Sequence, residues 1–213
     1  MKIALIGGSG HVGGHLLTEL LSRGHAVTAL VRDPAKLAPR PGLTVVVADA
    51  YDADAVARAV AGHDAVVSAF NGGWTNPNLY DDHLRGSRAI VAGVKASGVR
   101  RLLVVGGAGS LEVAPGVQLV DSAEFPAAWK PGALAARDAL TELRGEADLD
   151  WTFFSPAMMT EEGARTGHYR LGGDQLVVDG KGESRMTWPD FAVAVVDEAE
   201  RGANLRRRVA VAY

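Results

Sequence analysis

The chain has 213 residues, room for one domain of about 150 with a small appendage and enough to bury a core without staples. Its 22 Lys and Arg against 25 Asp and Glu leave a formal charge of −3, with no basic surplus for nucleic acid. Hydrophobic content of 47% against 22% charged excludes a disordered chain, and the absence of cysteine excludes disulfides, thiolate catalysis and Cys-ligated metal.

The apolar run Ile3 to Ile6 is far shorter than a secretory signal or a membrane span needs, so a cytoplasmic protein is expected. That run reads as a first buried strand. Val12 to Arg23 follows as a helix, with Val12, Leu16, Leu17, Leu20 and Leu21 at helical spacing and Gly24 as its stop. Further strands are predicted at Val27–Val31, Leu43–Ala48, Ala65–Phe70, Arg101–Val105 and Trp151–Phe154. Helices are predicted at Asp52–Ala61, Asn78–Ser97 and Pro131–Arg144. After Ser155-Pro156 the rhythm breaks into a glycine-punctuated segment with one apolar run, Leu176–Val178. A helix from Pro189 to about Arg201 and a short strand at Val209–Ala212 close the chain. Alternating strands and helices predict an α/β fold, a doubly wound parallel sheet of Rossmann type. Residues 1–155 form its dinucleotide-binding core, and 156–213 a small C-terminal, substrate-side segment of the same domain.

Glycine is the compositional outlier, 26 of 213, and some of it is spent directly after the first strand in Gly7-Gly8-Ser9-Gly10-His11-Val12-Gly13. Between a strand and a helix, such a loop lets the backbone turn tightly and approach a pyrophosphate, which docks on the unpaired N–H groups of the helix start. Gly7, Ser9, Gly10, His11, Val12 and Gly13 are therefore candidate cofactor contacts. At the end of the second strand, an acid would select NAD and an arginine the 2′-phosphate of NADP. Arg32 stands there, and Asp33, before Pro34, reads as a turn cap, so NADP(H) is favoured over NAD(H). Asp49 and Ala50 after the third strand, and Ala69, Phe70, Asn71 and Gly72 after the fourth, extend the candidate cofactor crevice, with Ser155 at the end of the sixth.

Strand–GGSGHVG–helix, VRDP after strand two, VVGGAGS after strand five and FSPAMM after strand six together resemble the atypical short-chain dehydrogenase/reductase superfamily. The resemblance is to its NAD(P)H-binding branch, with NmrA-like regulators, biliverdin reductase B and NADH–flavin reductases, and it covers essentially the whole chain. Classical members reduce carbonyls with a Tyr-x-x-x-Lys pair. Tyr51, Tyr80 and Tyr169 are followed four residues on by Ala55, Leu84 and Gly173, and nothing follows Tyr213, so the pair is absent. That argues against ketone reduction, epimerase and dehydratase chemistry.

Two readings remain. In one, the protein orients NADPH against a flavin- or quinone-like acceptor that needs little help from a protein acid. Ser110, ending GGAGS, is then the candidate catalytic hydroxyl, and Trp129, Lys130 and Met158 the candidate acceptor contacts. Individually, Trp129 and Met158 read more simply as core. In the other reading the chain is a non-catalytic NADP(H) sensor that binds a partner protein, as the resemblance to NmrA-like regulators implies. A homodimer is compatible with either, and neither calls for nucleic acid or membrane.

His11 and His15 have the i, i+4 spacing of a metal pair, but His11 lies in the phosphate loop and no HExxH acid follows it, so no metal is expected. His83 reads as a surface residue, Arg206-Arg207-Arg208 as a solvated edge, and no G-x-S-x-G elbow supports a hydrolase.

Overall fold

A computed structural model describes residues 1–213 in full. Apolar residues on both sides of each strand force helices onto both faces of the sheet, as parallel sheets require. In chain order the elements are β1 (Lys2–Ile6), α1 (His11–Ser22), β2 (Ala26–Val31), β3 (Leu43–Val47), α2 (Ala53–Val60), β4 (Ala65–Ser68), α3 (Leu79–Ser97) and β5 (Arg101–Val105). Then come β6 (Glu112–Ala114), β7 (Val117–Gln118), α4 (Lys130–Arg144), β8 (Asp150–Ser155), β9 (Met159–Glu161), β10 (Arg170–Gly172), β11 (Arg185–Thr187), α5 (Trp188–Arg201) and β12 (Arg207–Ala212).

Eight strands form one sheet in the order β10-β12-β8-β5-β4-β1-β2-β3, parallel throughout except for β10 against β12. The expected Rossmann-type winding is present. Strand order reverses between β1 and β4, where Ile3 pairs with Ala65 and Ile6 with Ser68. In open α/β sheets the ligand crevice lies beyond the carboxyl ends of the strands at such a reversal.

Side-chain alternation divides the core. Ile3 and Leu5 of β1 pack with Leu16 and Leu20 of α1 and with Phe191 and Val195 of α5. Ala4 and Ile6 face the other way, with Val56 and Val60 of α2, Ile90 and Val94 of α3 and Leu140 of α4. Helix starts follow their caps: Asp52 accepts from the Asp54 and Ala55 N–H groups, and Thr187 from Asp190, with Pro189 in the first turn of α5.

The segment after residue 155 holds more order than its composition suggests. β9 and β11 form a separate parallel pair, β10 edges the main sheet, and α5 packs on α1. Leu176–Val178 is not a strand; Val177 fills the space beside Gly172 instead. Two buried ionic knots tie this segment to the rest. Glu198 of α5 accepts from Arg101 of β5 at 2.8 Å and from the Asn204 amide at 2.7 Å. Glu19 of α1 accepts from both Arg23 and Arg165 at 2.7 Å, and the Arg165 bond does most to hold its carboxyl below the usual range.

Two expectations about exposure are corrected. His83 is 7% exposed, its ring stacked on Phe70 at 5.7 Å, and burial pushes its pKa down to about 4. The preceding Gly72 loop folds over this turn of α3, which places His83 inward rather than at the surface. Arg208 is not part of a solvated edge either: its side chain is 3% exposed, because β12 lies between β8 and β10.

Candidate active site

The β1–α1 loop is shaped by close approaches that no side chain would survive. Gly7 has φ +81°, and a Cβ there would stand 2.7 Å from the Ala69 carbonyl oxygen. A Cβ on Gly13 would stand 2.0 Å from the Gly7 carbonyl oxygen, so helix and loop touch backbone to backbone. Gly7, Gly10 and Gly13 are thus the structural frame, while Gly8 packs over Leu5.

The Gly10 N–H donates to Gly7 O at 2.9 Å and the Gly14 N–H to Gly10 O at 2.8 Å. Between them the N–H groups of His11, Val12 and Gly13 have no backbone partner. No side chain caps α1, and its first turn carries no acid. An uncapped, acid-free helix start at a sheet's switch point suits a pyrophosphate: three aligned donors and the positive end of the helix dipole are left for it. Ser9 is exposed beside this cradle. The His11 side chain turns away, with Nε2 3.3 Å from a Glu162 oxygen and its ring edge-on to Trp188 at 5.6 Å.

On the neighbouring side Arg32 is exposed and makes no hydrogen bond or ion pair. Asp33 accepts from the Ala35 N–H at 3.0 Å and caps the short turn over residues 34–36. Asp49 is similarly engaged, accepting from the Tyr51 N–H at 3.0 Å, and Ala50 is half-buried against the core under α2. Tyr51 meets Phe70 edge-on at 5.5 Å, with the Arg85 guanidinium 4.2 Å from its ring centroid. Sequence reasoning missed both Tyr51 and Arg85, since only the fold brings α3 to the end of β3.

Along the β4 loop the Phe70 ring points inward, filling space that Gly86 leaves open: a Cβ there would stand 2.2 Å from the ring. The Asn71 side chain accepts from the Gly73 N–H at 2.7 Å, and Gly72 lies tight against the start of α3. Of Ala69 to Gly72, only Asn71 keeps an exposed side chain. Ser155, at the end of β8, is fully buried with its hydroxyl unpartnered.

The residues expected to meet an acceptor lie after β5 (Ser110), at the start of α4 (Trp129 and Lys130) and after β8 (Met158). Trp129 is 59% exposed and Met158 half-exposed, so neither is the core residue its type suggested. Lys130 is exposed without an ion pair. Trp74, unmarked in the sequence, is 61% exposed and rests where Gly132 leaves room at the start of α4. Ser110 is buried: its hydroxyl and its carbonyl each accept from Arg208 at 2.9 Å, and Arg208 in turn donates to Asp174 at 2.8 Å. Three of the four tyrosine hydroxyls are held by carboxylates, and that of Tyr51 makes no hydrogen bond. Tyr80 donates to Asp138 at 2.6 Å, Tyr169 to Asp197 at 2.5 Å and Tyr213 to Asp190 at 2.6 Å. A cavity of about 410 Å³ lies elsewhere, between α3, α4 and the sheet, roofed by the Arg88–Glu142 and Lys95–Glu146 pairs and containing no residue of the glycine loop.

The cradle agrees with the match to known proteins: a family described as NAD(P)H-binding matches residues 7–199. The chain belongs to the NAD(P)H-binding family. Within it, the chain is 37% identical to the Bacillus subtilis protein YwnB, over 99% of this chain and 98% of that one. A Bacteroides thetaiotaomicron structure provisionally called an epimerase superposes with TM-score 0.93 at 44% identity, covering 100% of this chain and 96% of that one. A Streptococcus pneumoniae structure provisionally called an NADH-flavin reductase superposes with TM-score 0.84 at 33% identity, covering 100% and 99%. Family membership makes the cofactor a nicotinamide dinucleotide, and the uncapped glycine cradle fits it. No helix is long and apolar enough to cross a membrane.

Proposed function

We propose that this family member is an NADPH-dependent reductase passing hydride to a planar, flavin- or quinone-like acceptor. The observation that carries this reading is the fate of the tyrosines: none begins a Tyr-x-x-x-Lys pair, and three hydroxyls are held by carboxylates. A carbonyl reductase or an epimerase needs an acid–base residue at the reacting carbon, so the Bacteroides protein's provisional name is not carried over. An acceptor whose conjugated system takes up the charge needs none, and water can supply its proton.

When bound, the reduced nicotinamide supplies the hydride. The His11, Val12 and Gly13 N–H groups hold the pyrophosphate, and Arg32, free of internal partners, takes the 2′-phosphate in a charge-assisted contact. Asp33 is not left to compete, because its carboxylate caps the next turn. Ala69 to Gly72 wall the crevice. Trp129, Trp74 and Met158 offer apolar surface to a flat acceptor, and Lys130 offers charge to an anionic one. Ser110 is buried with its hydroxyl accepting from Arg208, so it holds that guanidinium in place and the proton is left to water. The provisional name of the Streptococcus structure points the same way.

The test is loss of NADPH absorbance by purified protein supplied with FMN and a panel of quinones. Saturable, enzyme-dependent loss is expected. No loss, while NADPH still raises the melting temperature, would overturn turnover and favour an NADP(H) sensor that signals to a partner protein.

A further inference from the structure

His11 and His15 lie one turn apart on the same side of α1; Glu19, a further turn on, is taken up by Arg23 and Arg165, but the fold brings a second acid to the pair. Glu162, just after β9, stands 147 residues from His15, yet its Oε1 is 3.0 Å from His15 Nε2 and 3.3 Å from His11 Nε2. One nitrogen from each ring and one carboxylate oxygen all lie within 4.8 Å of one another.

We propose that His11, His15 and Glu162 form a binding site for a divalent transition-metal cation of the zinc class. Zinc binds imidazole nitrogen and carboxylate oxygen at about 2.0–2.2 Å, and tetrahedral geometry then sets ligand atoms roughly 3.3 Å apart. The His11–Glu162 separation of 3.3 Å equals that spacing and the His15–Glu162 contact of 3.0 Å, a hydrogen bond without metal, is within a few tenths of an ångström of it. Two imidazoles with one carboxylate select zinc, cobalt, nickel or copper over magnesium and calcium, which prefer all-oxygen shells. His15 is partly sheltered, whereas His11 and Glu162 are open to solvent, so a water can fill the fourth position.

The electrostatics single out one ligand. The site flanks the positive end of the α1 dipole, which opposes a cation. The only formal negative charge in the triad is on Glu162, so that charge must offset both the dipole and part of the metal's own. Glu162→Gln, which keeps shape and loses charge, is therefore expected to be as damaging as loss of an imidazole. Nothing in this assignment depends on turnover or on the identity of the acceptor.

The test is calorimetric titration of ZnCl2, with MgCl2 as comparison, into the chelator-stripped full chain carrying no histidine tag. The expected result is one Zn2+ per chain and no saturable heat with Mg2+. His15→Ala and Glu162→Gln should each weaken zinc by at least about tenfold, the scale at which even outer-shell partners act. His168→Ala, at an exposed histidine outside the triad, should leave binding unchanged. Metal-free melting temperatures equal to the parent's will show that the variants fold. Absence of saturable zinc binding, undiminished affinity in either triad variant, or an equal loss in His168→Ala would overturn the site.

Discussion

Arg32 and Asp33 are adjacent and opposite in charge, and their surroundings divide them between ligand and fold. Asp33 spends its carboxylate on the Ala35 N–H, while the Arg32 guanidinium has no partner in the chain. Arg32→Ala should therefore weaken NADPH by about 1.5–3 kcal/mol, the worth of a hydrogen bond to a charged group, and hardly touch NADH. Parallel fluorescence titrations with the two dinucleotides measure this, and equal losses would refute the assignment. His83 makes a different kind of statement. Burial depresses its pKa from 6.5 to about 4, so between those values the unfolded chain binds a proton that the folded chain refuses. Stability must fall as pH drops through that window, by up to about 3 kcal/mol once both forms are charged. Melting temperatures from pH 7 to 4 should show the decline, and His83→Phe should flatten it. The sequence exposed the Arg32–Asp33 contrast because Pro34 marks the turn locally. It hid the burial of His83 and Arg208, because a loop and a neighbouring strand distant in sequence create it.

The glycine loop and the wound elements were legible for the same reason, namely that their causes are local. Apolar spacing in α1, Asp52 before α2 and Pro189 at the start of α5 all act within a turn or two. β6, β7, β9, β10 and β11 were invisible, because two or three residues carry no alternation and each owes its strand character to a partner. The site split the same way: the cradle was readable, whereas Trp74, Tyr51, Arg85 and Glu162 reach their places only through the fold. Gly13→Ala probes the cradle. Its Cβ would collide with the Gly7 carbonyl, so a stability loss of about 1–3 kcal/mol and loss of thermal protection by NADPH are expected together. Glu198→Ala probes the joint between β5 and α5. It strands the Arg101 guanidinium in the interior, at a cost of about 3–5 kcal/mol. Chemical denaturation measures both, and Arg101→Met in the Glu198→Ala background should recover part of the second loss.

At the scale of the molecule, the sheet joins the two ends of the sequence. β1 sits within it, while β12 pairs with β8 and leads into Tyr213, whose hydroxyl bonds Asp190 at the start of α5. The core that packs Ile3 and Leu5 also contains Val209 and Val211, so the crevice at the β1–β4 reversal rests on residues from nearly the full length of the chain. This topology governs time as well as stability. A parallel pair cannot form from a tight hairpin, and the single hairpin here, β6–β7, stands outside the main sheet. Refolding from denaturant should therefore be slow for a chain of this size, in milliseconds to seconds rather than microseconds. During that interval the valine-rich strands stand unpaired and able to meet those of another molecule. Stopped-flow refolding should give a rate independent of protein concentration but a recovered yield that falls as concentration rises, because collisions between half-formed sheets compete with the closure of one.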